Sequence, residues 1–286
     1  MYISDFKGAP FDVFNQGNNG NPNYSGTPTS LYNGYTGVGQ GDTSYDSLLG
    51  SKWQTEFGQT LTFVSNSANA QSAGQLMQSS AELTAFEKMA ITVPAAYPAT
   101  QGTFQVYVTN GSTVMKQNLF ANGLLIVASG TGIGQTLRIA SHTGAAATTG
   151  KIVVTLRDPI QTTLDATSTV SFVANPGQAI IQMPTTPTGL AVGVTLYAMP
   201  AATAPTWDGT SGALVTPGIP QYGFVVSHGP VGCLIDSSVT SVGYPLGQKC
   251  ATAGCLGIAT LTTSPQIAIS MQTLTSAQVG AVYMLL

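Results

Sequence analysis

Charged side chains are scarce in this chain. They make up 7% of its 286 residues, against about 25% in an ordinary soluble domain. Only eight are Lys or Arg, they are scattered, and the net charge is −3. Nucleic-acid binding needs a basic stripe to neutralise phosphates, so this balance argues against a nucleic-acid partner. Polybasic membrane contact is excluded on the same ground. No apolar run approaches the ~20 residues of a membrane helix. The opening Met1-Tyr2-Ile3-Ser4-Asp5-Phe6-Lys7 lacks the basic region and apolar run of a signal peptide, which predicts synthesis and assembly in a cytoplasm. Three cysteines, Cys233, Cys250 and Cys255, are an odd number and fit a reducing compartment. They are expected to be free and mostly buried.

Reactive constellations are equally scarce. The two histidines are His142, in a turn-like context, and His228, between two strands. Ser227 and Asp236 flank His228, but no G-x-S-x-G nucleophile elbow is present. Cys250 and Cys255 have a four-residue gap, at the edge of zinc-finger spacing, and only Cys233 and His228 would complete a set. Two small buried thiols are the simpler reading. Gly130-Thr131-Gly132-Ile133-Gly134-Gln135 has the third glycine misplaced for a dinucleotide fingerprint and reads as a β turn. The acids of the β region are Asp158, Asp165, Asp208 and Asp236, each in a turn context, whereas glycoside hydrolysis needs two that face each other. The sequence therefore predicts no catalytic residue, no cofactor and no metal.

What fills the space left by charge is Thr, Ser, Gly, Ala, Gln and Asn. Such a surface is cheap to desolvate and suits extensive contact with other protein. Residues 1–60 read as an extended arm. Gly/Asn-rich runs such as 15–26 and 34–41 show no hydrophobic period. Yet Phe6, Phe11, Phe14, Tyr24, Tyr32, Tyr35 and Tyr45 punctuate the arm, where a mere linker is poor in aromatics. These rings are the candidate contacts to a neighbour.

Residues 61–100 are expected to be a helical connector, with one short helix over 69–88 built on Ala, Gln, Leu, Met and Glu. From Met89 onward, β-branched runs separated by Gly/Pro turns predict strands, and Asn110-Gly111 after Phe104–Thr109 predicts a hairpin. The fold class is mainly β: an antiparallel sandwich or barrel with an extended irregular N-terminal arm and one short helix. Residues 101–286 form the β domain, open to division into two subdomains near 199–220, and no strict sequence repeat is visible.

Several stretches resemble capsid decoration (cement) proteins of tailed bacteriophages. They are Gly134–Ile139, Lys151–Ile160, Val173–Pro176 and Gln221–Val231, with an aromatic strand, then Gly229-Pro230, then a short strand ending in Asp236, and the closing strand Ala281–Leu285. The resemblance covers residues 120–286. It implies a β-rich protein, made in the host cytoplasm and resident on the virion. Such a protein binds the outer surface of the head, bridges capsomers and helps resist internal DNA pressure. Its implied partners are the major capsid protein and copies of itself, as a trimer or dimer. The Cys250–Cys255 turn departs from the polar turn of that pattern, and the arm lies outside it. The alternative is a tail, fibre or host-binding virion protein.

Overall fold

The structure, a computed structural model, describes residues 49–55, 57–148, 150–248, 250–260 and 264–286. The arm contacts Phe6, Phe11, Phe14, Tyr24, Tyr32, Tyr35 and Tyr45 lie outside the described residues. The chain is mainly β and antiparallel throughout its named sheets.

In chain order the strands begin with β1 (Lys52–Gln54), β2 (Thr60–Ser65), β3 (Leu76–Gln78), β4 (Met89–Thr92), β5 (Gln105–Thr109) and β6 (Leu124–Ser129). They continue with β7 (Thr136–His142), β8 (Lys151–Leu156), β9 (Thr169–Val173), β10 (Ile181–Gln182), β11 (Ala191–Thr195) and β12 (Thr206–Trp207). The last are β13 (Leu214–Thr216), β14 (Tyr222–Leu234), β15 (Pro245–Gly247), β16 (Gly257–Ile258), β17 (Gln266–Ser270) and β18 (Val279–Leu285).

The chain forms two compact units. The first takes the described residues up to Ser80, then Pro176–Ala204 and Ile219–Leu286; the second is Ala81–Asn175 with Pro205–Gly218. The chain therefore changes unit at 80/81 and 175/176, and within the 199–220 stretch only the β12–β13 hairpin and its flanks cross over.

The second unit is a closed barrel in the order β4-β5-β8-β7-β6-β9. Alternation builds it. Val106 and Val108 of β5, Ile152 and Val154 of β8, and Leu137 and Ile139 of β7 all point inward and are buried, while their neighbours face out. With Leu125, Val127, Val170 and Phe172 they fill the interior, so the barrel is a packed core and not a pore. The first unit is one extended sheet, β10-β3-β11-β14-β18-β17-β15-β16, with β2 also on β14 and β1 on β2. Its main core gathers Leu76, Val194, Val226, Val231, Cys233, Val282 and Met284.

The helix expected over 69–88 does not form. Leu76, Met77 and Gln78 are β3, buried at all three positions between β10 and β11, and only a three-residue 3-10 turn remains at Thr84–Phe86. Helix propensity differences are a few tenths of a kcal/mol per residue. Pairing on both edges and burial of three consecutive side chains outweigh them. Gln78 is held as well: its side chain donates to Thr188 Oγ1 and accepts from the amides of Thr188 and Gly189.

A repeat invisible in the sequence organises both units. Three four-stranded modules share one strand order. Numbering strands by their place in each module, the order is 1-4-3-2: β2-β14-β11-β3, β5-β8-β7-β6 and β14-β18-β17-β15. Each is a Greek key with the long return after its first strand. The long β14 closes the first module with its N-terminal half and opens the third with its C-terminal half. Between these halves β14 shifts register at Val226/His228, and Gly229 follows at φ +98°, where a Cβ would lie 2.7 Å from the Gly58 carbonyl oxygen.

The three return loops share two ties. An isolated bridge clips each to the loop after strand 3: Gln71 with Met199, Met115 with Ala145, Val239 with Leu274. A left-handed residue then redirects the chain, Gly74 (φ +76°), Asn118 (φ +59°) or Gly243 (φ +81°). Its amide donates to the carbonyl of Thr195, His142 or Ser270, the last residue of strand 3. This explains why the Asn110-Gly111 hairpin is not formed. Asn110 begins a return loop, and β5 pairs with β4 and β8, not with the next strand.

Candidate functional site

His142 ends β7 and is 3% exposed. Phe120 N–H donates to its Nε2 at 3.0 Å, which leaves Nδ1–H to donate to the Thr143 carbonyl at 3.0 Å. Phe120 and Phe172 pack against the ring. The other modules show what this position does. There the Thr195 hydroxyl accepts from Gln75 N–H, and the Ser270 hydroxyl accepts from Tyr244 N–H. In the barrel a ring nitrogen thus serves where the other modules use a hydroxyl, with its donor Phe120 two residues past Asn118 where Gln75 and Tyr244 are one past Gly74 and Gly243. Burial pushes the His142 pKa below its ordinary value.

This shift has a stability consequence. The unfolded chain takes up a proton near pH 6.5, whereas the folded barrel resists it, so stability falls as pH drops below about 6.5. We expect the urea midpoint of the barrel to decline between pH 7 and 5.5. In His142→Gln, which keeps an acceptor and cannot titrate, that decline disappears. Identical slopes in both proteins would show that His142 does not control it.

His228 lies on the outer face of β14, its Nε2 3.3 Å from the Tyr283 hydroxyl. Its sequence neighbour Ser227 is buried and bonded instead to Thr62 and the Thr60 carbonyl. Asp236 accepts the amide of Ala251. The structure thus gives Ser227, His228 and Asp236 separate partners.

The three thiols are free and buried. Cys250 donates to the carbonyls of Thr252 and Cys255, closing its own loop. Burial raises all three pKa values, pushing Cys255 up to about 11 and Cys233 further; neighbouring thiols add to the effect at Cys233 and Cys255, and the Asp236 carboxylate adds to it at Cys250 and Cys255. A thiol so held is neither a good nucleophile nor a ready metal ligand. Among the described residues no group of three or more His, Cys, Asp and Glu is placed to hold a metal ion. We expect the native protein to react with a thiol reagent far more slowly than an exposed cysteine does, and three thiols per chain to appear in denaturant. A Cys250–Cys255 disulfide or stoichiometric zinc in the purified protein would contradict this.

Each of the four acids of the β region has its own partners among the described residues. Asp165 binds Thr131, Thr167 and the Thr167 amide; Asp208 caps the β12–β13 hairpin through Thr210 and Ser211. Asp158 is clamped by Arg138, whose Nε and Nη2 reach both its oxygens while the Arg138 amide donates to Oδ2. These hydrogen bonds hold Asp158 at about 2. Asp208-Gly209 is the expected corner, whereas Asp236-Ser237 opens a return loop and Asp158 closes an ion pair.

The outer face of the third module is apolar. β14 from His228 on, β15, β17 and β18 contain no charged residue. Pro230, Tyr283, Ile269 and Pro245 stand opposite one another across these four strands and are each half-buried. Leu285 and Val279 flank that row, exposed. The outer face of an antiparallel sheet ordinarily carries polar residues. Sequence reading missed this face because its residues are spread over 54 positions, from Pro230 to Tyr283. No helix among the described residues is long and apolar enough to cross a membrane. Comparison with protein families, with curated proteins and with solved structures finds no match to this chain.

Proposed function

We propose that this chain is a non-enzymatic structural protein of a virus particle, a decoration protein that binds the outer surface of a phage head and stabilises the shell. The observation that carries the reading is the uncharged outer face of the third module. A face of Pro, Tyr, Ile and Leu, cored behind by Val231, Val282 and Met284, loses little on leaving water and gains apolar burial against another protein. The major capsid protein is the partner, and copies of this chain pack beside one another on the shell. The Greek keys support the same role, because sheets built from them present rigid faces to a partner.

The test is binding to heads that lack the native copy. Wild-type protein is expected to saturate the head surface, and Ile269→Lys, which puts a charge on the outer face and leaves the core intact, is expected to weaken binding at least tenfold. Gold labelling then places the bound chain on head or tail, and labelling confined to the tail would favour a tail or fibre component. Equal binding of the variant would remove the face from the argument.

A further inference from the structure

The chain has only two arginines, Arg138 and Arg157, and the fold sets them side by side. Arg157 N–H donates to the Arg138 carbonyl at 2.8 Å, so Arg157, the residue that follows β8, stands opposite Arg138 of β7. The row continues outward-facing across the barrel: Arg138 lies opposite Leu124, and Leu124 opposite Val173. Arg157 is exposed, and Val173 is 40% exposed. Asp158 neutralises one guanidinium through its clamp on Arg138. The other, on Arg157, has among the described residues only the neutral Asn122 amide oxygen as hydrogen-bond partner, and shares the single Asp158 charge with Arg138, so two guanidiniums face one carboxylate. The row therefore offers one uncompensated positive charge next to two aliphatic side chains.

The complement is in the arm. Residues 1–48 contain Asp5, Asp12, Asp42, Asp46 and a single Lys7, a balance of −3, which is the net charge of the entire chain. Residues 49–286 are consequently neutral as a whole. Three of those four acids adjoin an aromatic residue: Asp5-Phe6, Phe11-Asp12 and Tyr45-Asp46. A carboxylate beside a ring is what an arginine next to apolar side chains accepts, by a charge-assisted fork and by stacking.

We propose that the segment Asp5–Phe14 of a second copy docks on the row Arg157, Arg138, Leu124 and Val173, with Asp12 on Arg157 and Phe11 and Phe14 against the aliphatic end. The thirty-four residues between Phe14 and Leu49 span up to ~110 Å when extended, long enough to reach the barrel of a neighbouring copy. This rests on the reading of the arm as an element that locks copies together, and it names the surface the arm takes.

Sedimentation of the full-length chain tests it. Wild type is expected to self-associate, more weakly in 0.5 M salt than at roughly 0.05 M because the contact is electrostatic. Asp12→Arg and Arg157→Asp are each expected to weaken association at least tenfold. An equimolar mixture of the two variants regains it, because the reversed arm of one chain now fits the reversed barrel of the other. That rescue also shows that both variants are folded. A wild-type chain that stays monomeric, single variants that associate like wild type, or a mixture that gains nothing each overturns the proposal. If any of these occurs while the chain still binds and stabilises heads, the decoration reading stands and only the assigned surface is wrong.

Discussion

Asn110→Ala is expected to destabilise the barrel by about 3 kcal/mol, and Asn66→Ala to destabilise the other unit by only about 1–2 kcal/mol. The two asparagines occupy the same place, the first residue of the return loop in their modules. Asn110 is 3% exposed and its amide donates to the carbonyls of Thr113, Ala145 and Ala146, while its Oδ1 accepts from Gly111 N–H. Asn66 repeats the pattern with Asn69, Met199, Pro200 and Ser67. The difference lies in what truncation strands. Without Asn110, the Thr113 carbonyl and the Gly111 amide lose their protein partner. Without Asn66, the Asn69 carbonyl keeps Gln71 Nε2 and the Ser67 amide keeps the Ile180 carbonyl, so only Pro200 is stranded. The chain's two tryptophans report separately, since Trp53 belongs to the first unit and Trp207 to the second. Single-tryptophan backgrounds and urea titration thus read each loss in its own unit. A loss at Asn66 equal to or larger than that at Asn110 would mean that the stranded groups do not set the cost. The third module has Ile235 at this position and ties its loop with Ser276, which bonds the Asp236 carbonyl and the Ser238 hydroxyl.

Removal of residues 1–48 is expected to leave a soluble folded β protein that no longer locks neighbouring copies on a head. The cut falls before Gly50, whose amide bonds the Phe63 carbonyl, and before β1, so the sheet keeps its first strand. Each aromatic ring of the arm seated in a neighbour's surface contributes on the order of 1.5–3 kcal/mol by burial. Ordering the arm costs about 1–2 kcal/mol per residue in backbone entropy, so the segment gains little by ordering alone and needs the whole contact with a partner. The truncated chain should therefore lose most of the heat protection conferred on heads lacking the native copy, while its circular dichroism stays that of a β protein. Equal binding and equal protection by truncated and full-length chains would reduce the arm to a tail.

Much of the local structure is legible in the residues. Phe104–Thr109, Lys151–Leu156 and Ser168–Val173 read as strands and are strands, because alternating β-branched side chains declare one buried and one outer face. Gly130–Gln135 reads as a turn and joins β6 to β7. The Asn69–Lys88 stretch misleads because its composition favours a helix that β3 pairing overrides. Asn110-Gly111 misleads because the pair is as suitable for opening a stapled loop as for a hairpin, and only the distant partner Ala145 distinguishes the two.

The sequence by itself determined the β class, the scarcity of charge and the aromatic, acidic composition of residues 1–48. Those properties reside in local side-chain periodicity and in residue counts. The tertiary structure alone decided the three matching Greek keys, the row of Pro230, Tyr283, Ile269 and Pro245, and the adjacency of Arg138 and Arg157. Backbone pairing is indifferent to side-chain identity, so a Thr hydroxyl, a His ring and a Ser hydroxyl at the end of strand 3 each accept an amide of the return loop in three modules without leaving a common motif. Residues that share a face are spaced by strand register across dozens of positions, and register is set by hydrogen bonds that no local pattern records.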